Sequence, residues 1–257
     1  MPSPTYETQA ERDAAAVEFA AELARIAAAA DVPLPAPGRQ YWFGTDFEGQ
    51  SVRPAARGGS GGPTPDQARI RWKQDDSAPF LALSRGAVPL ALGSTPDLAE
   101  AVRAASAWLA GADLAGVRHT APFLDVQDWA LAHERTPLDP VELEWRIRLQ
   151  NFDHAWHPEP ARVRQLWRAA FAEPRLRPLR PVSSHYTLWF SRTLHFPYES
   201  AGVAVEPRTD GTYQVRGHRR HRAVAEALPE PVTVATAAEA AALAAALAAA
   251  VLPPELH

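Results

Sequence analysis

Twice along its length the chain changes hydrophobic period from two residues to between three and four, and that switch limits the folds open to it. From Ala68 to Gln74 the pattern alternates, with Ala68, Ile70 and Trp72 on one side and Arg69, Arg71 and Lys73 on the other. Such alternation marks an antiparallel strand with one wet face. Phe80 to Leu83 and Val88 to Leu92 follow as apolar strands around a tight turn at Arg85-Gly86. Thr95-Pro96 then offers an N-cap and a first-turn proline for a helix to about Ala110, with Leu98, Val102, Ala105 and Leu109 inward and Gly111 as its stop.

The last third repeats the order. His185 to Ser191, Gly202 to Glu206 and Thr212 to Arg216 read as strands, the latter two joined by Asp210-Gly211. Thr236 and Glu239 form a capping box for a closing helix with Leu243, Leu247 and Val251 on one face. An internal duplication is therefore one expectation, and a shared strand order is what it requires.

The remaining elements are helical or loop-like. Thr8 to Ala30 carries an apolar stripe at Phe19, Leu23 and Ile26, read as a docking helix. Tyr41 to Phe47 reads as a strand, and the segment to Pro63 contains the glycine-rich loop Gly58-Gly59-Ser60-Gly61-Gly62, whose role the sequence leaves open. Asp139-Pro140 opens a helix through about Gln150, and Glu159 to Ala172 makes another with Val163, Leu166, Trp167 and Ala170 inward. The expected fold class is α+β, mostly antiparallel sheet with helices on one face. It is organised either as two lobes, residues 1–130 with the N-terminal helix and glycine-rich loop and residues 131–257, or as one compact domain.

Composition removes several chemistries. The 257 residues contain no cysteine, which excludes disulfides, thiolate catalysis and cysteine-bound metal. The net charge of -4 gives no global field for nucleic acid or an anionic membrane, and neither is expected as a partner. The N-terminus lacks the basic start and apolar core of a signal peptide, so the expected compartment is the cytoplasm. Lys73 is the only lysine among 26 basic residues, a bias that with the alanine and proline load points to a GC-rich genome.

Several segments resemble a bacterial family known as domain of unknown function 6193. They are Ala107-Trp108-Leu109-Ala110-Gly111, Pro174 to Leu179, the run from Ser184 to Arg192, Asp210 to Val215 and the closing Thr236-Ala237-Ala238-Glu239-Ala240, within roughly residues 68 to 250. The resemblance implies an accessory or tailoring role in bacterial natural-product biosynthesis. It implies no established reaction and carries over no catalytic residue. After the arginine the resemblance leads one to expect a cysteine, where this chain has Thr193 and Leu194; a shared role for such a thiol is thereby disfavoured.

Alternation along the strand from His185 puts His185, Thr187, Trp189 and Ser191 on one face. A tryptophan among hydroxyls and an imidazole has the composition of a ligand-contacting wall, and equally of an indole packed beneath helices. Arg192 and His195 stand beyond the strand, and Arg216 to Arg222, including Arg219 and His221, lies past the neighbouring hairpin. If these ends converge they make a cationic rim suited to a carboxylate, a phosphate or an acidic protein surface. The alternative is a charged, solvated edge that discourages aggregation. The pairs His154 with His157 and His218 with His221 lack a completing carboxylate, and no metal or cofactor is expected. A triad of Ser191, His185 and Asp210 can be written down, but no nucleophile elbow or phosphate-binding loop supports it. The expected function is an accessory protein that binds an anionic small molecule or a partner. The rivals are a cofactor-independent tailoring enzyme using His185 or His195, and an immunity-like or scaffold protein.

Overall fold

The computed structural model describes residues 8–41, 44–53, 64–72, 78–153, 160–218, 228 and 230–251. The chain forms two compact units, residues 1–137 and 138–257. Lys73, the glycine-rich loop, the His154–His157 pair, Arg219 and His221 lie outside the described residues.

In the first unit Thr8 and Glu11 form a reciprocal capping box that starts α1 (Gln9–Ala29). A six-stranded antiparallel meander follows: β1 (Pro37–Tyr41), β2 (Gly44–Arg53), β3 (Thr64–Trp72), β4 (Pro79–Arg85), β5 (Val88–Ser94) and, after two helices, β6 (Leu124–Asp125). The helices are α2 (Leu98–Leu109), α3 (Leu114–Thr120) and α4 (Asp128–Arg135). Ala68 and Ile70 of β3 and Leu81 and Leu83 of β4 turn inward onto Leu23 of α1 and Val102, Ala105 and Trp108 of α2. On the opposite face Arg69 binds both carboxylate oxygens of Asp46, and Gln67 donates to Glu48 at 2.9 Å. This is the cross-strand pairing that alternating charge favours. Helix α2 starts two residues later than Thr95-Pro96 predicts. Asp97 is its N-cap, accepting the Ala99 N–H, while Thr95 accepts the Asp97 N–H and donates to Glu100.

An ion triad lies on the inward side of the same sheet. Arg85 Nε donates to Asp66 Oδ1 at 2.8 Å and Arg85 Nη2 to Glu134 Oε1 at 3.3 Å. Glu134 Oε2 accepts the Leu114 N–H, which keeps α4 with the first unit.

The second unit begins with α5 (Pro140–Asp153) and α6 (Ala161–Ala172). Asp139 accepts the Val141 and Glu142 N–H groups at the start of α5. A five-stranded antiparallel meander follows, β7 (Arg180–Ser184), β8 (Thr187–Ser191), β9 (Ser200–Pro207), β10 (Tyr213–Gly217) and β11 (Val232–Val234), and then α7 (Ala237–Val251). Leu188, Phe190, Val203, Val205 and Val215 pack with Trp145 of α5 and Leu166 and Trp167 of α6. The surface α7 buries is the stripe Ala240, Ala241, Ala244, Ala245 and Ala248, with Leu243 and Leu247 at its flank. Alanine lets a helix approach the sheet closely, so the small residues take the core positions expected of the leucines; the Val251 side chain lies outside the described ones.

Each unit contains a helix, five consecutive antiparallel strands and a helix in that order, to which the first unit adds α3, β6 and α4 and the second adds α5 in front. In each, the closing helix lies on the third strand of the meander, α2 on β3 and α7 on β9, and packs against the helix before the meander, α1 or α6.

Strand β7 carries Pro181, a residue that locally argues against a strand. It is an edge strand, and Pro181 faces Phe190 one step out of phase with the closing pair Ser184–Thr187. Its missing N–H falls on the free edge and costs the ladder no bond.

Candidate functional site

The face of the second sheet turned away from α6 and α7 carries one cross-strand row, Val182 of β7, Trp189 of β8, Ala204 of β9 and Arg216 of β10. His218, just past β10, reaches across β9 and lies flat on Trp189, with ring centroids 4.6 Å apart and planes 14° apart. The residues of β9 beneath are Gly202 and Ala204, small enough for an imidazole to pass over. The His218 N–H donates to the Gly202 carbonyl at 2.7 Å, and Gly202 sits at φ 91°, a conformation glycine adopts without penalty. Tyr198 meets Trp189 edge to face at 6.1 Å.

Tyr198 belongs to the connector 192–199, a loop pinned by its own hydroxyls. Ser191 Oγ donates to the Thr193 carbonyl and accepts the Thr193 N–H, Thr193 Oγ1 donates to the Pro197 carbonyl and accepts the Glu199 N–H, and the Arg192 N–H donates to the Glu199 carbonyl. Arg180 braces it from β7. Its guanidinium bonds the Leu194 carbonyl, reaches Glu144 at 3.4 Å and lies 4.7 Å from the Tyr198 ring. The loop presents Phe196 outward, 78% exposed, with exposed His195 and Arg192 beside it. Arg192 approaches Glu199 only at 3.9 Å, and Arg216 forms no ion pair with any described residue.

The expected site residues separate into groups. Thr187 and Trp189 share the open face, as alternation predicts. His185 does not belong to it: the strand begins at Thr187, and His185 and Tyr186 form the two-residue hairpin turn with φ 49° and 68°. His185 therefore stands at the opposite end of β8 from Arg192 and His195, roughly 15 Å away along five strand residues. Ser191 is fully buried beyond a register shift after Trp189, its hydroxyl spent on the loop. Asp210 caps the β9–β10 turn, where the Thr212 hydroxyl and then the Thr212 N–H hold its carboxyl below the ordinary value. The paper triad of Ser191, His185 and Asp210 is thus dispersed. The site residues sequence reasoning missed are Tyr198, which no periodicity marks, and the stacking role of His218, read as part of the cationic segment Arg216 to Arg222 and as half of a metal pair.

Among the described residues no group of three or more histidine or carboxylate side chains could hold a metal ion, and no helix is long and apolar enough to cross a membrane. No curated protein and no solved structure matches the chain. Residues 139–257, which make up the second unit save its first residue, match the model of a family of unknown function, DUF6193. The match does not reach residues 68–138, so the resemblance at Ala107-Trp108-Leu109-Ala110-Gly111 lies outside it.

Proposed function

We propose that the second unit is a recognition module, not a catalyst, and that it receives an anionic group of a small-molecule ligand at the loop end of β8. The observation that carries this reading is the Trp189–His218 stack, flanked by Arg216 without an ionic partner among described residues and by the loosely paired Arg192. A guanidinium that is not already neutralised binds a carboxylate or phosphate without first breaking an ion pair. The rigid hydroxyl-pinned loop lowers the ordering cost of binding. Acid–base catalysis by His185 is disfavoured because His185 is remote from the cluster, and a Ser191 nucleophile because Ser191 is sealed. The family resemblance supplies the setting proposed for it, a cytoplasmic accessory step in bacterial natural-product biosynthesis.

A second reading, a scaffold that docks a protein, is favoured by one observation, the exposure of Phe196. A thermal-shift screen against carboxylated and phosphorylated metabolites, with Arg192→Ala and Arg216→Ala in parallel, tests the first reading. A ligand that stabilises the parent and neither variant supports it. Stabilisation retained by both variants sinks it, and no response to any ligand moves the choice to the protein partner, with Phe196→Ala the variant to examine.

A further inference from the structure

Helix α5 and the connector after α6 converge on the ring of Phe171. The guanidinium carbons of Arg146 and Arg177 each lie 4.7 Å from its centroid. Both cations are held by one carboxylate: Arg146 Nε donates to Glu142 Oε1 at 2.7 Å, and Arg177 donates through Nε to Oε2 at 2.8 Å and through Nη2 to Oε1 at 2.9 Å. Because the two guanidiniums share one oxygen, they are neighbours with like charge, and a single carboxylate leaves the trio with a net charge of about +1. A guanidinium has five N–H donors; Glu142 takes one from Arg146 and two from Arg177. The remaining edges are open to solvent, with the Arg146 and Arg177 side chains 33% and 48% exposed against 17% for Glu142.

A pin between α5 and the connector needs one arginine on one acid. A second arginine on the same acid adds repulsion that a further anion would remove. We infer that Arg146 and Arg177 form an oxyanion-binding site for a phosphate or carboxylate group, with Phe171 as its apolar floor and Glu142 as the strut that spaces the two forks. This site is separate from the loop end of β8 and does not depend on the function proposed for it. Arg177 lies in the segment Pro174 to Leu179, within the part of the chain that matches the family.

The experiment is calorimetric and thermal-shift titration of the full chain with inorganic phosphate and, separately, with citrate, each against chloride at equal ionic strength. The expected result is saturable binding by the parent, loss of binding in Arg146→Gln and Arg177→Gln, and retention in Arg192→Ala and Arg216→Ala. Binding of phosphate alone or of citrate alone identifies which oxyanion the site takes. Arg146→Lys keeps the charge and loses the fork, and is expected to weaken binding about tenfold, which serves as the test if the glutamine variants fail to fold. An effect equalled by chloride, binding kept by Arg146→Gln and Arg177→Gln, or parent-like affinity in Arg146→Lys would overturn the assignment. Loss in Arg192→Ala or Arg216→Ala alone would overturn it too, while supporting the loop end of β8 as the anion site.

Discussion

The imidazole of His218 rests on the indole of Trp189 across an intervening strand, and Gly202 and Ala204 leave room for it to do so. A stacked pair of this kind is worth about 0.5–1.5 kcal/mol beyond its burial. Ala204→Leu puts a branched side chain beneath the imidazole and is expected to cost about 1–3 kcal/mol with loss of the stack. Urea denaturation and near-ultraviolet circular dichroism of the variant measure both. An unchanged tryptophan spectrum would show that the two rings do not depend on that floor.

His185 and Tyr186 occupy left-handed backbone in a turn that favours asparagine and glycine. Left-handed backbone costs an ordinary residue about 1–2 kcal/mol. The double substitution His185→Asn, Tyr186→Gly is expected to raise stability by about 1 kcal/mol, read as a higher denaturation midpoint. No gain would mean that the aromatic tip makes compensating contacts of equal size.

Trp145 anchors the second core through its ring N–H, which donates to the carbonyls of Arg177 at 3.1 Å and Leu179 at 3.0 Å, while its indole packs edge-on against Trp167. Trp145→Phe removes the donor, strands two carbonyls and leaves a void. The expected loss is about 2–4 kcal/mol, to be checked by chemical denaturation.

Asp66 is fully buried and Arg85 compensates it together with Glu134. Arg85→Met leaves both carboxylates without that cation and is expected to cost about 3–5 kcal/mol. Replacing Asp66, Arg85 and Glu134 together by apolar residues of similar volume is expected to recover most of that loss. A single substitution as mild as the triple one would contradict the electrostatic account.

Acid is expected to act on His133 of the first unit and Glu142 of the second in different ranges. Burial, and then the charge of Arg85, depresses His133 below its ordinary 6.5. The stability it contributes is present above 6.5 and lost as pH falls through the lower folded value, because the unfolded chain takes up the proton first. Burial would raise Glu142, but hydrogen bonds from Arg177 and Arg146 outweigh it and hold the carboxyl below 4.5. Its contribution is present above 4.5 and lost only as pH falls further. Thermal melting as a function of pH should therefore show the first unit weakening before the second, and His133→Leu should flatten the early part of that decline.

The sequence by itself determined the elements whose signals are local. Hydrophobic period and capping residues marked α1, β3, α5 and α6, because a capping box or an alternating strand is a matter of residues within one turn or one face. Absence of cysteine and the near balance of charge likewise depend on no fold. Locally weak elements escaped: β7 holds a proline, its hairpin turn contains neither glycine nor asparagine, and α3 and α4 are short. Tertiary structure alone decided which side chains meet. Strand register put Arg216 in the row of Trp189, a small-residue floor let His218 reach it, and chain reversal after α6 brought Arg177 to the acid already held by Arg146. Alternation assigns a residue to a face but not a neighbour to a residue, because proximity within a sheet is set by pairing between strands.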